Sequence, residues 1–294
     1  DVIVRETWEF GGWLAAATLR LPHASVEVTL HAFTMAYAEP VAASLSGILA
    51  RAGQPAENVL ERLFAQLHLS FVPPSFEDPA APLPAMAHSL RPLLLEPLPG
   101  EPEPGWLANL PDRPTVYVTG GTLRTRTSFF EPIIEGARDL DINLVATLGR
   151  MVDPDVLGPQ PEHVYLTGYV SQALLLPRCA AVVNHGGFNS VLGALTCGVP
   201  LVVLPDGADR SVNARRATEL GVAIVLDENQ RTPAAIQAAV RSVLEDPGYR
   251  RRAQAIQAEI AALPGPDHGV HLLEHLVAGR EAPEFVRNSP EAVI

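Results

Sequence analysis

The sequence predicts an α/β protein of two Rossmann-like, doubly wound lobes, the first of them incomplete. Short apolar strands alternate with amphipathic helices along most of the chain, the pattern of β-α-β units. A proline-rich stretch divides that pattern, and 294 residues is about twice the size of one usual domain. Hydrophobic residues make up 47% and charged ones 18%, too apolar a mixture for a disordered chain.

Asp1 to Val4 reads as a strand, Glu9 to Arg20 as a helix around Trp13, Leu14 and Ala17, and Ala24 to Leu30 as an alternating strand. Ala38 to Gly53 and Glu57 to Leu67 return apolar residues every three or four positions and read as amphipathic helices. Arg91 to Leu95 is the last apolar strand of this run. From Pro73 to Pro114 prolines crowd the chain, and a residue without an amide hydrogen and with a fixed φ interrupts regular structure. Residues 97–113, acidic and proline-rich, read as an extended linker between a first lobe at 1–96 and a second at 114–279.

In the second lobe, strands are expected at Thr115 to Thr119, Ile142 to Leu148, Val164 to Thr167, Ala180 to Asn184, Leu201 to Leu204 and Val222 to Leu226. Helices are expected at Phe129 to Leu140, Asn189 to Cys197, Thr232 to Glu245, Tyr249 to Ala262 and His268 to Ala278, with 280–294 as a tail. Six strands make a complete doubly wound lobe, and the first lobe has about half of one.

The formal charge of −12 argues against nucleic acid as a partner, because phosphate backbones call for a basic surface. Every basic residue is Arg, which excludes a Schiff-base lysine and a P-loop lysine. Cys179 and Cys197 form no Cys-x-x-Cys pair, so neither a zinc knuckle nor a disulfide framework is expected. A reduced, cytoplasmic compartment fits that cysteine usage. No apolar run approaches the ~18 residues of a membrane span, and the first residues show no targeting pattern.

Chemistry concentrates at Asn184-His185-Gly186-Gly187-Phe188-Asn189-Ser190. A strand ends, two glycines turn the backbone, and a helix opens with Asn189 or Ser190 as N-cap types. The amides and positive dipole end of such a helix suit an anion, typically phosphate, and His185 can donate to a phosphate oxygen. A glycine corner with a surface histidine is the plainer alternative. Pro205-Asp206-Gly207-Ala208-Asp209-Arg210 follows the next strand, at a carboxyl end where open α/β sheets bind ligands.

His185-Gly186-Gly187-Phe188-Asn189-Ser190, with Gly198-Val199-Pro200, Pro205 and Asp209, resembles the donor-binding signature of GT-B glycosyltransferases, closest to the actinobacterial macrolide and natural-product sugar transferases. Tyr169-Val170-Ser171-Gln172 sits where that family has an aromatic-x-Pro-Gln element, and Gly121-Thr122 matches its Gly-Thr turn. The resemblance spans residues 115–279, and 1–95 match part of the acceptor lobe more weakly.

The resemblance implies a GT-B fold and an inverting transfer from a dTDP or UDP sugar to a hydroxyl of a small natural product. It gives His185, Gly187, Asn189 and Ser190, with Gly121 and Thr122, to the diphosphate. Arg150 would lie near the nucleoside, Tyr169 against the base with Val170 backbone reading its edge, and Asp209 with Arg210 at the sugar. Gly193 stands where the family often has a ribose-binding Glu, and Arg210 replaces its usual Gln. Glu6 matches the carboxylate that orients the catalytic His, a His expected upstream of Asp1 in a first portion of ~100 residues. The donor is a substrate, so no cofactor and no metal is expected. Expected partners are the nucleotide-sugar donor, a small-molecule acceptor and a second copy of the chain as a homodimer, with neither nucleic acid nor membrane.

Other readings stay open: a non-catalytic nucleotide-sugar-binding or auxiliary protein, or a sugar-nucleotide epimerase. Asp139-Leu140-Asp141 matches a metal-binding Asp-x-Asp but falls at a helix-to-strand turn, where Asp is favoured for local hydrogen bonding. Arg250-Arg251-Arg252 reads as a solvated helix face. His23, His31, His68 and His88 are each conceivable bases, but His31 and His68, placed at strand positions, read as packed or surface groups. Ser25 and Ser190 lack a nucleophile-elbow context. Trp8, Phe10, Trp13 and Phe33 read equally as acceptor-pocket walls or as core.

Overall fold

A computed structural model of the chain describes residues 1–93, 103–121 and 127–279. Two compact units divide it, Asp1–Pro92 with the described chain from Ala262 onward, and Leu93–Ala261.

In the first unit β1 (Ile3–Glu6), α1 (Phe10–Leu19), β2 (His23–Glu27), α2 (His31–Ala36), α3 (Ala38–Arg51), α4 (Val59–Leu63), β3 (Leu67–Ser70) and β4 (Ala87–Ser89) follow one another. The sheet runs β1-β2-β3-β4, parallel throughout. Trp13 of α1 packs with Leu45, Leu49, Val59 and Leu63 of α3 and α4, because their helical spacing puts these apolar side chains on one stripe.

The second unit carries α5 (Gly105–Ala108), β5 (Thr115–Thr119), α6 (Glu131–Ala137), β6 (Asn143–Thr147), β7 (Val164–Thr167), α7 (Gln172–Leu175), β8 (Ala181–Asn184), α8 (Phe188–Thr196), β9 (Leu201–Val203), α9 (Asp209–Glu219), β10 (Ala223–Val225), α10 (Pro233–Glu245) and α11 (Pro247–Ala262). Its sheet runs β10-β9-β8-β5-β6-β7, all parallel. Strand order therefore reverses between β5 and β8, the switch point where doubly wound folds bind ligands. Near-continuous apolar runs such as Ala181–Asn184 are fully buried, as strands covered on both faces must be. Ile133 and Ile134 of α6 and Ile236 and Val240 of α10 join Val116, Leu144, Val183 and Val202 of the sheet in one core.

Several expectations are corrected. Leu67 belongs to β3 and not to a helix, and the last strand of the first sheet is β4 rather than 91–95, of which 94 and 95 lie outside the described residues. His31 opens α2 instead of sitting on a strand. The described part of the 97–113 segment is no free linker: Trp106 stacks on Tyr165 at 5.3 Å, Leu107 is buried, and Arg178 pairs with Glu103 at 2.8 Å. α12 (Pro266–Val277), grouped by sequence with the second lobe, lies in the first unit, where Leu272 packs on Ala24, Leu67, Leu69 and Leu90. The 280–294 tail lies outside the described residues. No helix among them is long and apolar enough to cross a membrane.

Candidate functional site

The carboxyl ends of β5 and β8 lie side by side, with Thr119 paired to Asn184. After β5 the chain turns at Gly121, whose φ of +77° is a left-handed value that suits glycine. Its amide donates to Thr119 Oγ1 at 3.1 Å. After β8 comes His185, buried, then Gly186 and Gly187, the latter being the N-cap of α8. A Cβ on Gly121 would stand 2.7 Å from His185 Cε1, and one on Gly187 would stand 2.6 Å from Nε2. The imidazole thus lies against glycines from two strand ends, beside the start of a nine-residue helix.

The helix opens one to two residues earlier than expected, so neither Asn189 nor Ser190 is its N-cap. Ser190 donates its amide to the Gly187 carbonyl at 3.0 Å, which takes that amide out of the set offered to an anion. The amides of Phe188 and Asn189 meet no acceptor among the described residues. They carry the positive end of the helix dipole.

The turn is tied to α9. Gly186 carries φ +84°, and a Cβ there would meet the Arg210 carbonyl at 3.0 Å. Its own carbonyl accepts from Asn213 Nδ2 at 3.0 Å, and that amide also donates to Asp209 Oδ2 at 3.1 Å. Asn213 is fully buried. Arg210 donates to the Asp206 carbonyl at 2.7 Å. Ala208, just before α9, takes φ +52° and ψ −141°, a strained conformation for a residue with a Cβ.

At the ends of β6 and β7, the Arg150 guanidinium lies 3.6 Å from the centroid of the half-exposed Tyr169 ring. One ring face is therefore already covered. Val170 beside it is buried. Behind them Tyr117, whose hydroxyl pKa burial pushes up, meets Thr147 Oγ1 at 2.8 Å.

Gly121, Arg150, Tyr169, Val170, His185, Gly187, Asn189, Ser190, Asp209 and Arg210 thus follow carboxyl ends of one sheet. Thr122 lies outside the described residues. Glu6 ends β1 in the first unit and accepts the Trp8 amide at 2.9 Å. Sequence reading included Asn184, whose Oδ1 accepts the Gly186 amide at 2.7 Å, in the segment without giving it a role, and missed Asn213. The one-turn spacing from Asp209 to Asn213 is the signal that points to the second. Asp139 and Asp141 sit at a turn as expected, with Asp141 paired to Arg113 at 3.4 Å. Arg250 and Arg252 are not merely solvated, since they donate to the carbonyls of Cys179, Ala180 and Gly221. Trp13 is core, whereas Trp8, Phe33 and Tyr37 form an aromatic cluster with centroids 5.3–5.8 Å apart, Tyr37 edge-on to both others and Trp8 tilted against Phe33.

Residues 131–276 match the family Erythromycin biosynthesis protein CIII-like, C-terminal domain. The fold is similar to the crystal structure of CalG4, the calicheamicin glycosyltransferase, with TM-score 0.81 and 27% identity over 96% of this chain and 74% of that one. The chain shares the two-sheet, parallel α/β fold of GT-B glycosyltransferases such as CalG4. The chain is 36% identical over 184 residues to the 3-alpha-mycarosylerythronolide B desosaminyl transferase of Saccharopolyspora erythraea. That match covers 61% of this chain and 44% of the relative, so the chain spans less than half the length of the relative. Glycosyltransferase VinC, solved in complex with DTDP, is 25% identical with TM-score 0.77, over 95% of this chain and 72% of that one.

Proposed function

We propose that the second unit binds a nucleotide diphosphate sugar with its diphosphate at the glycine corner before α8. The whole protein would then transfer the sugar, with inversion, to a hydroxyl of a small natural product. The observation that carries this is the His185 ring against Gly121 and Gly187 beside the open amides of Phe188 and Asn189. Those donors face charge that grows on the diphosphate as it leaves. A base takes the acceptor proton, the hydroxyl oxygen attacks the anomeric carbon, and the bond from that carbon to the diphosphate oxygen breaks with its electron pair leaving on the diphosphate. No metal is assigned to this step, because the histidine and helix start supply the positive end.

The free face of Tyr169 takes the base, and Asp209, held by Asn213, accepts from sugar hydroxyls. A thymidine nucleotide suits Gly193, which offers no side chain to a ribose hydroxyl, and VinC carries DTDP. The aromatic cluster of Trp8, Phe33 and Tyr37 beside β1 would wall an apolar acceptor, with Glu6 orienting the base.

Titration of the wild type, His185→Ala and Ser190→Ala with thymidine and uridine diphosphates tests the site. Loss of a hydrogen bond to charged phosphate is worth ~1.5–3 kcal/mol, so His185→Ala should weaken binding by about tenfold or more. Unchanged affinity in both variants overturns the assignment. Binding without transfer would support the auxiliary-protein reading instead.

A further inference from the structure

We propose that Glu27, His31 and His68 of the first unit form a binding site for one divalent metal ion of the zinc type. The site is independent of the nucleotide reading. Glu27 ends β2, His31 opens α2 four residues later, and His68 lies on β3 paired with Ser25. All three side chains are buried, and their ligand atoms lie within 4.8 Å of one another. Glu27 Oε2 stands 2.9 Å from His31 Nδ1 and 3.5 Å from His68 Nε2. A tetrahedral zinc with bonds of ~2.0–2.1 Å separates its ligand atoms by ~3.3 Å. Shifts of a few tenths of an ångström would bring Glu27 to that spacing from both histidines.

The surrounding bonds leave these three atoms turned to one another. Ser25 Oγ is 2.8 Å from His68 Nδ1, which engages one ring nitrogen and leaves Nε2 toward the carboxylate. Thr34 Oγ1 donates to Glu27 Oε1 at 3.0 Å and leaves Oε2. Such outer partners orient metal ligands in known sites. His68 Nε2 is buried without a hydrogen-bond partner. A network of hydrogen bonds alone leaves that atom unsatisfied, whereas a metal ion would bind it through its lone pair. Phe64 sets its ring edge-on to both imidazoles, at 5.5 and 5.3 Å between centroids, and walls the cluster with apolar surface. Among the described residues no other three His, Cys, Asp or Glu side chains converge in this way. Two histidines and one carboxylate are a zinc-type donor set, with a fourth position left for water. Bound there, the ion clamps β2 and β3 to the start of α2.

The test uses the untagged full chain, stripped with a chelator and exchanged into metal-free buffer. It is titrated with Zn²⁺ by calorimetry and with Co²⁺ by visible absorption. The wild type should take up one equivalent and give the absorption of four-coordinate cobalt. Ser25→Ala, which keeps all three ligands, should weaken binding by about 10- to 100-fold. Glu27→Gln, close in size, should weaken it at least as much. No stoichiometric uptake by the folded wild type overturns the proposal, leaving a hydrogen-bonded cluster. One equivalent bound equally well by both variants overturns it too. The wild-type result decides the matter should either variant fail to fold.

Discussion

The His185 imidazole lies where a side chain on Gly121 would have to go, with Cε1 only 2.7 Å from the Cβ position. The ring's place is thus set by a glycine 64 positions earlier in the chain, on a neighbouring strand end. Gly121→Ala should displace the ring and also strain a backbone at φ +77°. Thymidine diphosphate affinity is expected to fall roughly tenfold, the worth of one hydrogen bond to a charged group. Calorimetric titration of the variant beside the wild type reads this directly, and equal affinities would show that the ring's position does not matter.

Arg150 covers one face of Tyr169 and so directs a base to the other. Arg150→Met should weaken nucleotide binding by roughly two- to fivefold, in line with a cation–π contact of ~0.5–1 kcal/mol. Tyr169→Phe should bind like the wild type, and Tyr169→Ala should lose more than Arg150→Met. Quenching of intrinsic fluorescence by thymidine diphosphate would order the three variants.

Asn213 joins the turn after β8 to the first residue of α9. Asn213→Ala strips the Gly186 carbonyl of its donor, which should cost about 1–3 kcal/mol of stability. Urea unfolding should show a lower midpoint with an unchanged slope. A midpoint equal to the wild type would mean that water replaces the amide at no cost.

Acid should destabilise the first unit through His23. Burial holds its imidazole down to about 4, helped by the charge of Arg5 and opposed by a hydrogen bond to the Arg62 carbonyl. The unfolded chain takes up that proton near 6.5, the ordinary value, before the folded one does. Stability is therefore full above pH 6.5 and declines as pH falls from there toward 4, by roughly 3 kcal/mol at most. His23→Gln should flatten the dependence of the unfolding midpoint between pH 7 and pH 4. An identical slope in the variant would assign the acid sensitivity to other groups.

The second sheet was legible because each strand is a short apolar run between turn residues. Val164–Thr167 matches its expected bounds, and β8 differs by one residue. Leu67-His68-Leu69-Ser70 was not legible as β3, since half of its buried side chains are polar and an amphipathic pattern runs into it. α9 was missed for a similar reason: Asp209–Glu219 offers few apolar residues to mark a helical stripe. Its Asn213 is buried by a hydrogen-bonding role that hydrophobic periodicity does not report.

Local sequence determined the glycine corner, the strand before it and the helix after it, because backbone freedom and helix start are properties of neighbouring residues. Sequence alone also pointed to the glycosyltransferase family through His185, Gly186, Gly187 and Asp209. Only the tertiary structure decided that Gly121 backs the His185 ring, that Arg150 lies over Tyr169, and that Glu27, His31 and His68 meet in one buried cluster. Parallel strands bring such residues together across crossover helices, so their contact depends on strand order, which no local pattern encodes.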